Sequence, residues 1–271
     1  MKIATEERAF RTKEHAFPTK ERALPTRERA LPTKERILPT KDRSYAMAAR
    51  CARILARHRE AIGVRKDDLA IANLGRIIEA TLRLANQNGF HSTTMRDIAR
   101  ASGLSMGGLY AYVASKAALV SMILGEVLAS VDEAMAAPPP AVAADPRAHL
   151  RWFIEGHIRL SEAMQPWFMF CFMEAKTFPA RERRMSVAAE AMTEGLIGDL
   201  VARGAASGAF CLAEGGLSAA LIKPLLQDWY VKRAKYRKRG TSIEIYIAAV
   251  TAFAERALTA ASLDAHARRR A

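Results

Sequence analysis

The chain has 271 residues, of which 50% are hydrophobic, and its 42 basic against 28 acidic residues give a formal net charge of +14. This length fits about two domains with a substantial core, and every apolar run is far shorter than the ~20 residues that a membrane span needs. The excess of positive charge favours a polyanionic partner, above all nucleic acid. The charged N-terminus has no apolar stretch of the kind found in secretory signals, which predicts a cytoplasmic protein.

The cysteines indicate neither a disulfide framework nor a metal site. Cys51, Cys171 and Cys211 are odd in number, far apart and outside any CxxC pair. We therefore expect three free, buried thiols in a reducing compartment, with no metal and no cofactor.

Near the N-terminus, residues 5–46 repeat a seven-residue unit, as in TKERALP and TRERALP. Each unit offers a single large apolar residue, and proline closes several of them at a cost of ~3 kcal/mol or more to a continuous helix, so a coiled coil is not expected. We interpret residues 1–46 as a disordered extension. It is either a passive addition ahead of a natural start at Met47, or a basic arm that raises non-specific affinity for DNA.

A leader helix and linker are predicted for residues 47–69, with the arginines of the helix turned outward. After them, apolar residues from Ile71 to Ala85 recur with the period of an amphipathic helix, and Gly89 is placed to end it.

Two short helices are predicted next. Thr94 and Asp97 have the spacing of a capping box for the first, Gly103 ends it, and Ser105 is the N-cap of the second. A longer amphipathic helix follows from Lys116. Two short helices joined by a tight glycine turn are typical of a helix-turn-helix, whose second helix enters the major groove of DNA.

Gly107 and Gly108 lie in the first turn of that second helix, where the lack of a Cβ permits a close approach to DNA. Tyr110 and Tyr112 are predicted to point outward and to bind backbone phosphate, while Leu109 faces the core. In the alternative interpretation the glycines form a flexible loop and the tyrosines pack half-buried.

The stretch TTMRDIARASGLSMGGLYAYVASKAAL resembles the DNA-binding domain of TetR/AcrR-type transcriptional regulators. The resemblance implies a three-helix DNA-binding domain, at residues 70–130, and a helical effector-binding and dimerisation domain, at 145–264. No segment shows sustained strand alternation, which predicts an all-α chain, and residues 265–271 are a basic tail. The resemblance also implies a homodimer on a palindromic operator. The residues that it places at DNA are Thr94, Met95, Arg96, Ser105, Met106, Gly107, Gly108, Tyr110, Ala111, Tyr112 and Lys116, with Lys116 clamping phosphate.

The second half of the chain shows helical periodicity near 146–164, 166–176, 180–203, 217–236 and 242–262. Aromatic and methionine side chains in these helices are either simple core or the lining of a cavity for an apolar or amphipathic effector. Residues 135–146 are predicted to be a linker, and Thr241 with Glu244 a capping box. The candidates for the cavity are Trp152, His157, Phe168, Phe172 and Trp229, where His157 is otherwise a partly exposed structural residue.

A basic segment from Lys232 to Arg239 is either a solvated helix end or a site for the phosphates of an acyl-CoA-like ligand or of DNA. The leading hypothesis is a non-enzymatic, ligand-responsive regulator, and more specifically a repressor. The alternatives are a nucleoid-type protein that binds DNA through charge alone, and a helical carrier or enzyme, for which no catalytic motif is found.

Overall fold

A computed structural model describes residues 46–211 and 216–259, which lie in one compact unit of the chain. The predicted heptad extension, apart from Ala46, and the predicted basic tail lie outside the described residues. Within these residues the chain is helical and has no strand, as the sequence predicts. The helices are α1 (Met47–Arg57), α2 (Asp67–Asn88), α3 (Met95–Ser102), α4 (Met106–Tyr110), α5 (Lys116–Met135), α6 (Pro140–Ala144), α7 (Pro146–Ala163), α8 (Gln165–Met173), α9 (Ala180–Ala206), α10 (Ser218–Val231), α11 (Arg233–Lys238) and α12 (Ile243–Thr259).

The caps predicted around the two short helices are confirmed. The Thr94 hydroxyl accepts from the Asp97 amide at 3.1 Å, and the Asp97 carboxylate accepts from the Thr94 amide at 3.0 Å. Gly103 ends α3 with φ +68°, a conformation that costs other residues roughly 1–2 kcal/mol. The Ser105 hydroxyl then accepts from the Gly108 amide at 3.0 Å. These local bonds satisfy backbone groups that helices as short as α3 and α4 leave open at their ends.

α5 joins the two halves of the fold. Leu119 and Ile123, near its N-terminus, are buried with Ile98 of α3 and Leu109 of α4. Further along, α5 packs against α7, α8 and α9. A single rigid helix therefore supports the helix-turn-helix at one end and the C-terminal bundle at the other.

Arg50 and Arg53 of α1 are not turned outward, contrary to the sequence-based prediction, and the exposed Arg57 also pairs with a buried group. The Arg53 guanidinium donates to the fully buried Glu126 carboxylate of α5 at 2.6 Å, and Arg57 donates to the second oxygen of the same carboxylate. Arg50 is itself buried and lies over the Trp167 ring of α8, 4.9 Å from the centroid. The prediction failed because apolar periodicity identifies only the apolar face of a helix. It gives no information about a buried carboxylate on a distant helix that can pair with the arginines.

In the C-terminal bundle, α7 is the central helix and contacts α5, α9, α10 and α12. Three details differ from the prediction. The linker contains the short helix α6, and a break at Lys232 divides the helix predicted for 217–236 into α10 and α11. The last helix is capped by Ser242, which accepts from the Ile245 amide at 3.2 Å, and not by Thr241. None of the described helices combines the length and apolar character needed to cross a membrane.

Two glycines of α9 allow a matched test of packing. A Cβ on Gly204 would lie 2.0 Å from the buried ring of Phe210, whereas one on Gly195 would meet nothing within 4 Å. We expect Gly204→Ala to lower the free energy of unfolding by about 1–3 kcal/mol through overpacking. Gly195→Ala, in the same helix, is expected to raise it by up to about 1 kcal/mol. Urea unfolding of both variants measures the difference, and equal stabilities would contradict the packing.

Candidate functional site

The helix-turn-helix exposes part of the set that the sequence assigned to DNA. Thr94, Arg96, Ser105, Gly107 and Tyr110 are exposed, and Tyr110 keeps 49% of its surface in contact with solvent. The Arg96 guanidinium and the Ser105 and Tyr110 hydroxyls are donors suited to phosphate oxygens and base edges, whereas the Thr94 hydroxyl already donates to the Asp97 carboxylate at 2.6 Å. Gly107 has open space beyond its Cα, so a close approach to α4 is sterically possible at that residue.

The other assigned residues are less accessible. Met95, Met106 and Ala111 are half-buried and pack against the core, and Gly108 is half-buried beside the Ser105 hydroxyl. The surface open to a nucleic acid is therefore smaller than the motif alone suggests.

Tyr112 does not point outward, and this part of the prediction is wrong. Its side chain is buried, and its hydroxyl accepts a hydrogen bond from the Asn73 amide of α2 at 2.8 Å. Tyr112 lies past the end of α4, where the chain turns back under the helix. The ring therefore fills the core between α4 and α2, while Tyr110 stays outside.

Lys116 also has an intramolecular role. Its ammonium donates to the carbonyl oxygens of Phe90 and His91, at 2.5 and 3.0 Å, and lies 4.4 Å from the centroid of the Phe90 ring. Burial lowers the pKa of the Lys116 amine. In the free protein this lysine therefore connects the start of α5 to the turn after α2. Its ammonium is engaged in these contacts and does not project into solvent as the predicted phosphate-binding group would.

A cavity of about 60 Å³ lies between α5, α7, α8, α9 and α10. Its wall is apolar on the side of α5 and α8, where Leu124, Val131 and Phe168 lie. Three of the sequence candidates line it, namely His157, Phe168 and Phe172, and Phe172 is 41% exposed at its edge. The space suits a few water molecules, so a drug-sized ligand requires the helices to separate.

The opposite side of the cavity is polar. The Lys223 ammonium of α10 is buried, donates to the Glu190 carbonyl of α9 at 2.9 Å, and lies 2.9 Å from the Glu190 carboxylate. Gln227 donates to the same carboxylate at 2.8 Å. His157 is buried, and its Nδ1 has no hydrogen-bond partner among the described residues. Burial, followed by the charge of Lys223, lowers the pKa of His157 to about 3.

Two of the cavity candidates are core residues instead. Trp229 is fully buried, and its indole N–H donates to Glu162 at 2.9 Å. Trp152 is buried in edge-to-face contact with His149, 5.8 Å between ring centroids. Neither lines the cavity. Helical spacing could not distinguish these core residues from Phe168, which lines the cavity, because core positions and cavity-lining positions both lie on the inward faces of helices.

The basic segment is partly neutralised. Arg233 donates to Glu162 at 2.8 Å, and the Asp228 carboxylate pairs with Lys232 at 2.6 Å and with Lys235 at 3.0 Å. The side-chain hydrogen bonds of Lys232, Tyr236 and Lys235, with the charge of Lys235, outweigh desolvation and lower the pKa of Asp228 to about 2. These contacts hold α11 against α10 and α7.

The three cysteines are free, as predicted, and no group of metal-ligating residues occurs among the described residues. Only their burial differs: Cys51 is buried, Cys171 is half-buried and Cys211 is exposed. Burial raises the pKa of the Cys51 thiol to about 12, which makes it unreactive at neutral pH.

Residues 77–123, which contain α3, α4 and the start of α5, match the sequence model of the family described as bacterial regulatory proteins, tetR family. This match places a tetR-family domain at the helix-turn-helix of the chain. The chain is 34% identical over 99 residues to the HTH-type transcriptional regulator BetI of Pseudomonas fluorescens, a match that covers 35% of this chain and 50% of BetI. The chain thus spans about half the length of the curated relatives it matches.

Two solved structures of regulatory proteins have a similar fold. A tetR-family regulatory protein from Rhodococcus RHA1 superposes with a TM-score of 0.61 and 20% identity, over 70% of this chain and 98% of its own. FadR from Bacillus subtilis, solved in complex with stearoyl-CoA, gives a TM-score of 0.53 and 15% identity, over 68% and 98% of the two chains. At these identities the likeness shows the fold alone.

Apart from His157, the charged and polar residues that face each other across this cavity were missed by sequence reasoning. Lys223 lies in the apolar run LIKPLL. A single lysine on the inward face of an apolar helix could have predicted a buried polar site. Glu190 and Gln227 gave no such signal, because each lies among ordinary surface residues of its helix and acquires a role only through α9–α10 packing.

His157 predicts a pH dependence of stability. With a pKa of about 3 when folded and about 6.5 when unfolded, it is neutral in both states above pH 6.5. Between these values the unfolded chain binds a proton that the folded chain excludes, so stability falls as the pH falls. We expect the free energy of unfolding to be about 2 kcal/mol lower at pH 5 than at pH 7.5. The variant His157→Gln has no group that titrates here and should not show this loss. Urea unfolding at both pH values, with the variant as control, measures the difference, and equal losses in the two proteins would refute it.

Proposed function

We propose that this chain is a transcriptional regulator that binds a palindromic DNA operator as a homodimer and responds to a small apolar or amphipathic effector. In this proposal residues 70–130 bind DNA, and residues 145–264 bind the effector and dimerise. The observation that carries it is the exposed surface of α3 and α4, where Arg96 and Tyr110 present donors on a rigid, capped scaffold.

The position of α5 supports a coupling between effector and DNA. Leu119 and Ile123 form the core beneath the helix-turn-helix, while Leu124 and Val131 of the same helix line the cavity. A ligand that widens the cavity has to displace α5 or its neighbours, and such a displacement moves α3 and α4. A repressor would in this way leave its operator when the effector binds.

The test is to select binding sites from random duplex DNA at physiological salt, with the full chain and with a chain that begins at Met47, the first residue of α1. A specific dimeric regulator is expected to yield a palindrome preferred ~10³-fold or more over random DNA. If charge alone drives binding, no motif emerges and affinity follows salt concentration only, which would establish the nucleoid-type alternative.

The two tyrosines supply a matched pair for this test. Tyr110→Phe removes an exposed hydroxyl and is expected to weaken binding of the selected site about 3- to 10-fold. Tyr112→Phe removes the buried acceptor of the Asn73 hydrogen bond, and is expected to lower stability by about 1 kcal/mol without a specific effect on DNA affinity. The reverse pattern would place Tyr112, and not Tyr110, at the DNA.

A further inference from the structure

The cavity contains a buried cation whose partner is only half-buried. The Lys223 side chain is 6% exposed, while the Glu190 side chain that neutralises it is 48% exposed. A buried ammonium is costly without an anion, but the anion does not have to come from α9. Because the Glu190 carboxylate already borders solvent, it can turn into water at little cost if another carboxylate takes its place.

A second polar atom on this wall has no partner. His157 Nδ1 is buried without a hydrogen bond, between the Phe153 and Phe168 rings at centroid distances of 6.3 and 5.8 Å. Buried polar atoms are normally satisfied, and in the Nδ1–H tautomer this one is placed to donate a hydrogen bond to an acceptor of a bound ligand. The imidazole is held neutral, so it adds a hydrogen bond and no second positive charge.

The remaining wall defines the other end of the ligand. Leu124 and Val131 of α5 and Phe168 of α8 form an apolar surface facing the polar side chains of α7, α9 and α10. A molecule that satisfies both sides has one compact anionic group and an apolar body.

We propose that the cavity takes an amphipathic monocarboxylate, whose carboxylate replaces that of Glu190 at Lys223 and Gln227 and whose apolar body lies against α5 and α8. This inference rests on the proposed function for its regulatory meaning. The exchange conserves charge inside the cavity, because one carboxylate leaves as another arrives. A neutral ligand would leave the Lys223–Glu190 pair in place, and a cationic ligand would be repelled by Lys223.

The test is isothermal titration calorimetry of the full chain with octanoate, decanoate and 4-phenylbutyrate, each beside the alcohol of the same skeleton. We expect each carboxylate that binds to do so at least about 10-fold more tightly than its alcohol, the effect of one hydrogen bond to a charged group. Lys223→Met should remove this preference and leave the alcohol affinities unchanged. Glu190→Gln, which removes the competing charge but keeps an acceptor, should tighten carboxylate binding several-fold.

The inference is overturned if the alcohols bind as tightly as the carboxylates, if no carboxylate of the panel binds, or if Lys223→Met leaves the preference intact. It is also overturned if Glu190→Gln weakens carboxylate binding, because Glu190 would then be a ligand contact and not a competitor. The DNA selection is independent of these outcomes. A selected palindrome without carboxylate binding refutes this inference alone, whereas carboxylate binding without any DNA preference supports it and refutes the regulator.

Discussion

If the chain forms the proposed homodimer, replacing Phe253 by aspartate is expected to dissociate it and to lower affinity for the selected operator by ~10²-fold or more, because the two half-site contacts are then no longer linked. Phe253 and Ile245 of α12 are 62% and 59% exposed, and Leu217 and Leu221, next to and within α10, are 59% and 68% exposed. Large apolar side chains at this exposure on two helices in mutual contact mark an interaction surface.

Sedimentation velocity of the variant, at concentrations where the parent chain is dimeric, measures the first effect, and binding to the selected operator measures the second. Val187→Asp is the control, since Val187 is 64% exposed on α9 and the same charge is introduced there. A monomeric Phe253→Asp variant that keeps full operator affinity would show that the chain binds DNA without dimerising. A dimeric variant would place the interface elsewhere.

The double variant Arg53→Met, Arg57→Met is expected to lose about 3 kcal/mol of stability, because it removes the two cations that pair directly with the fully buried Glu126 carboxylate. We take the lower end of the range for a broken buried pair, since the Arg53 and Arg57 side chains keep 26% and 34% of their surface in water. Ser130, which donates to Glu126 at 3.4 Å, is too weak a partner to compensate.

The triple variant that adds Glu126→Leu supplies the decisive control. If the loss comes from an unpaired buried charge, removing that charge should restore most of the stability, because an apolar side chain of similar size fills the same space. If the triple variant is as unstable as the double one, the arginines stabilise α1 through packing of their aliphatic parts instead. Urea unfolding of the three proteins distinguishes the two explanations.

This cluster also anchors α1 to helices that line the cavity. Arg53 and Arg57 hold α1 to α5, and Arg50 lies over Trp167 of α8. α1 is therefore anchored to two helices that also line the cavity. A chain that begins at Met47 keeps every one of these contacts, and a chain that begins at α2 loses all of them.

The sequence predicted the helix-turn-helix well because its determinants are local. The Thr94–Asp97 capping box, the Gly103 turn and the Ser105 cap act within a few residues, and each is present as predicted. The inward position of Leu109 followed from helical spacing in the same way. The family resemblance covers this same stretch, and the match at residues 77–123 agrees with it.

The sequence did not show which polar and aromatic side chains meet across helices. Tyr110 and Tyr112 are similar in type and two residues apart, and only the position of Asn73 on α2 decides that the second is buried. Trp229 and Tyr230 are adjacent on α10, yet only Tyr230 lines the cavity. Such differences depend on how helices distant in the chain are rotated against each other.

The sequence by itself determined the helical class and the helix-turn-helix, because caps, turns and apolar periods are set by residues within one or two turns of each other. Only the tertiary structure decided that Glu126 is the anion for the α1 arginines, that Lys116 is tied to the α2–α3 turn, and that Lys223 and His157 share a cavity. Each of these contacts joins residues that are tens of positions apart in the chain. Its free energy depends on how deeply the residues are buried, and burial is set by the packing of the helices and cannot be read from the sequence.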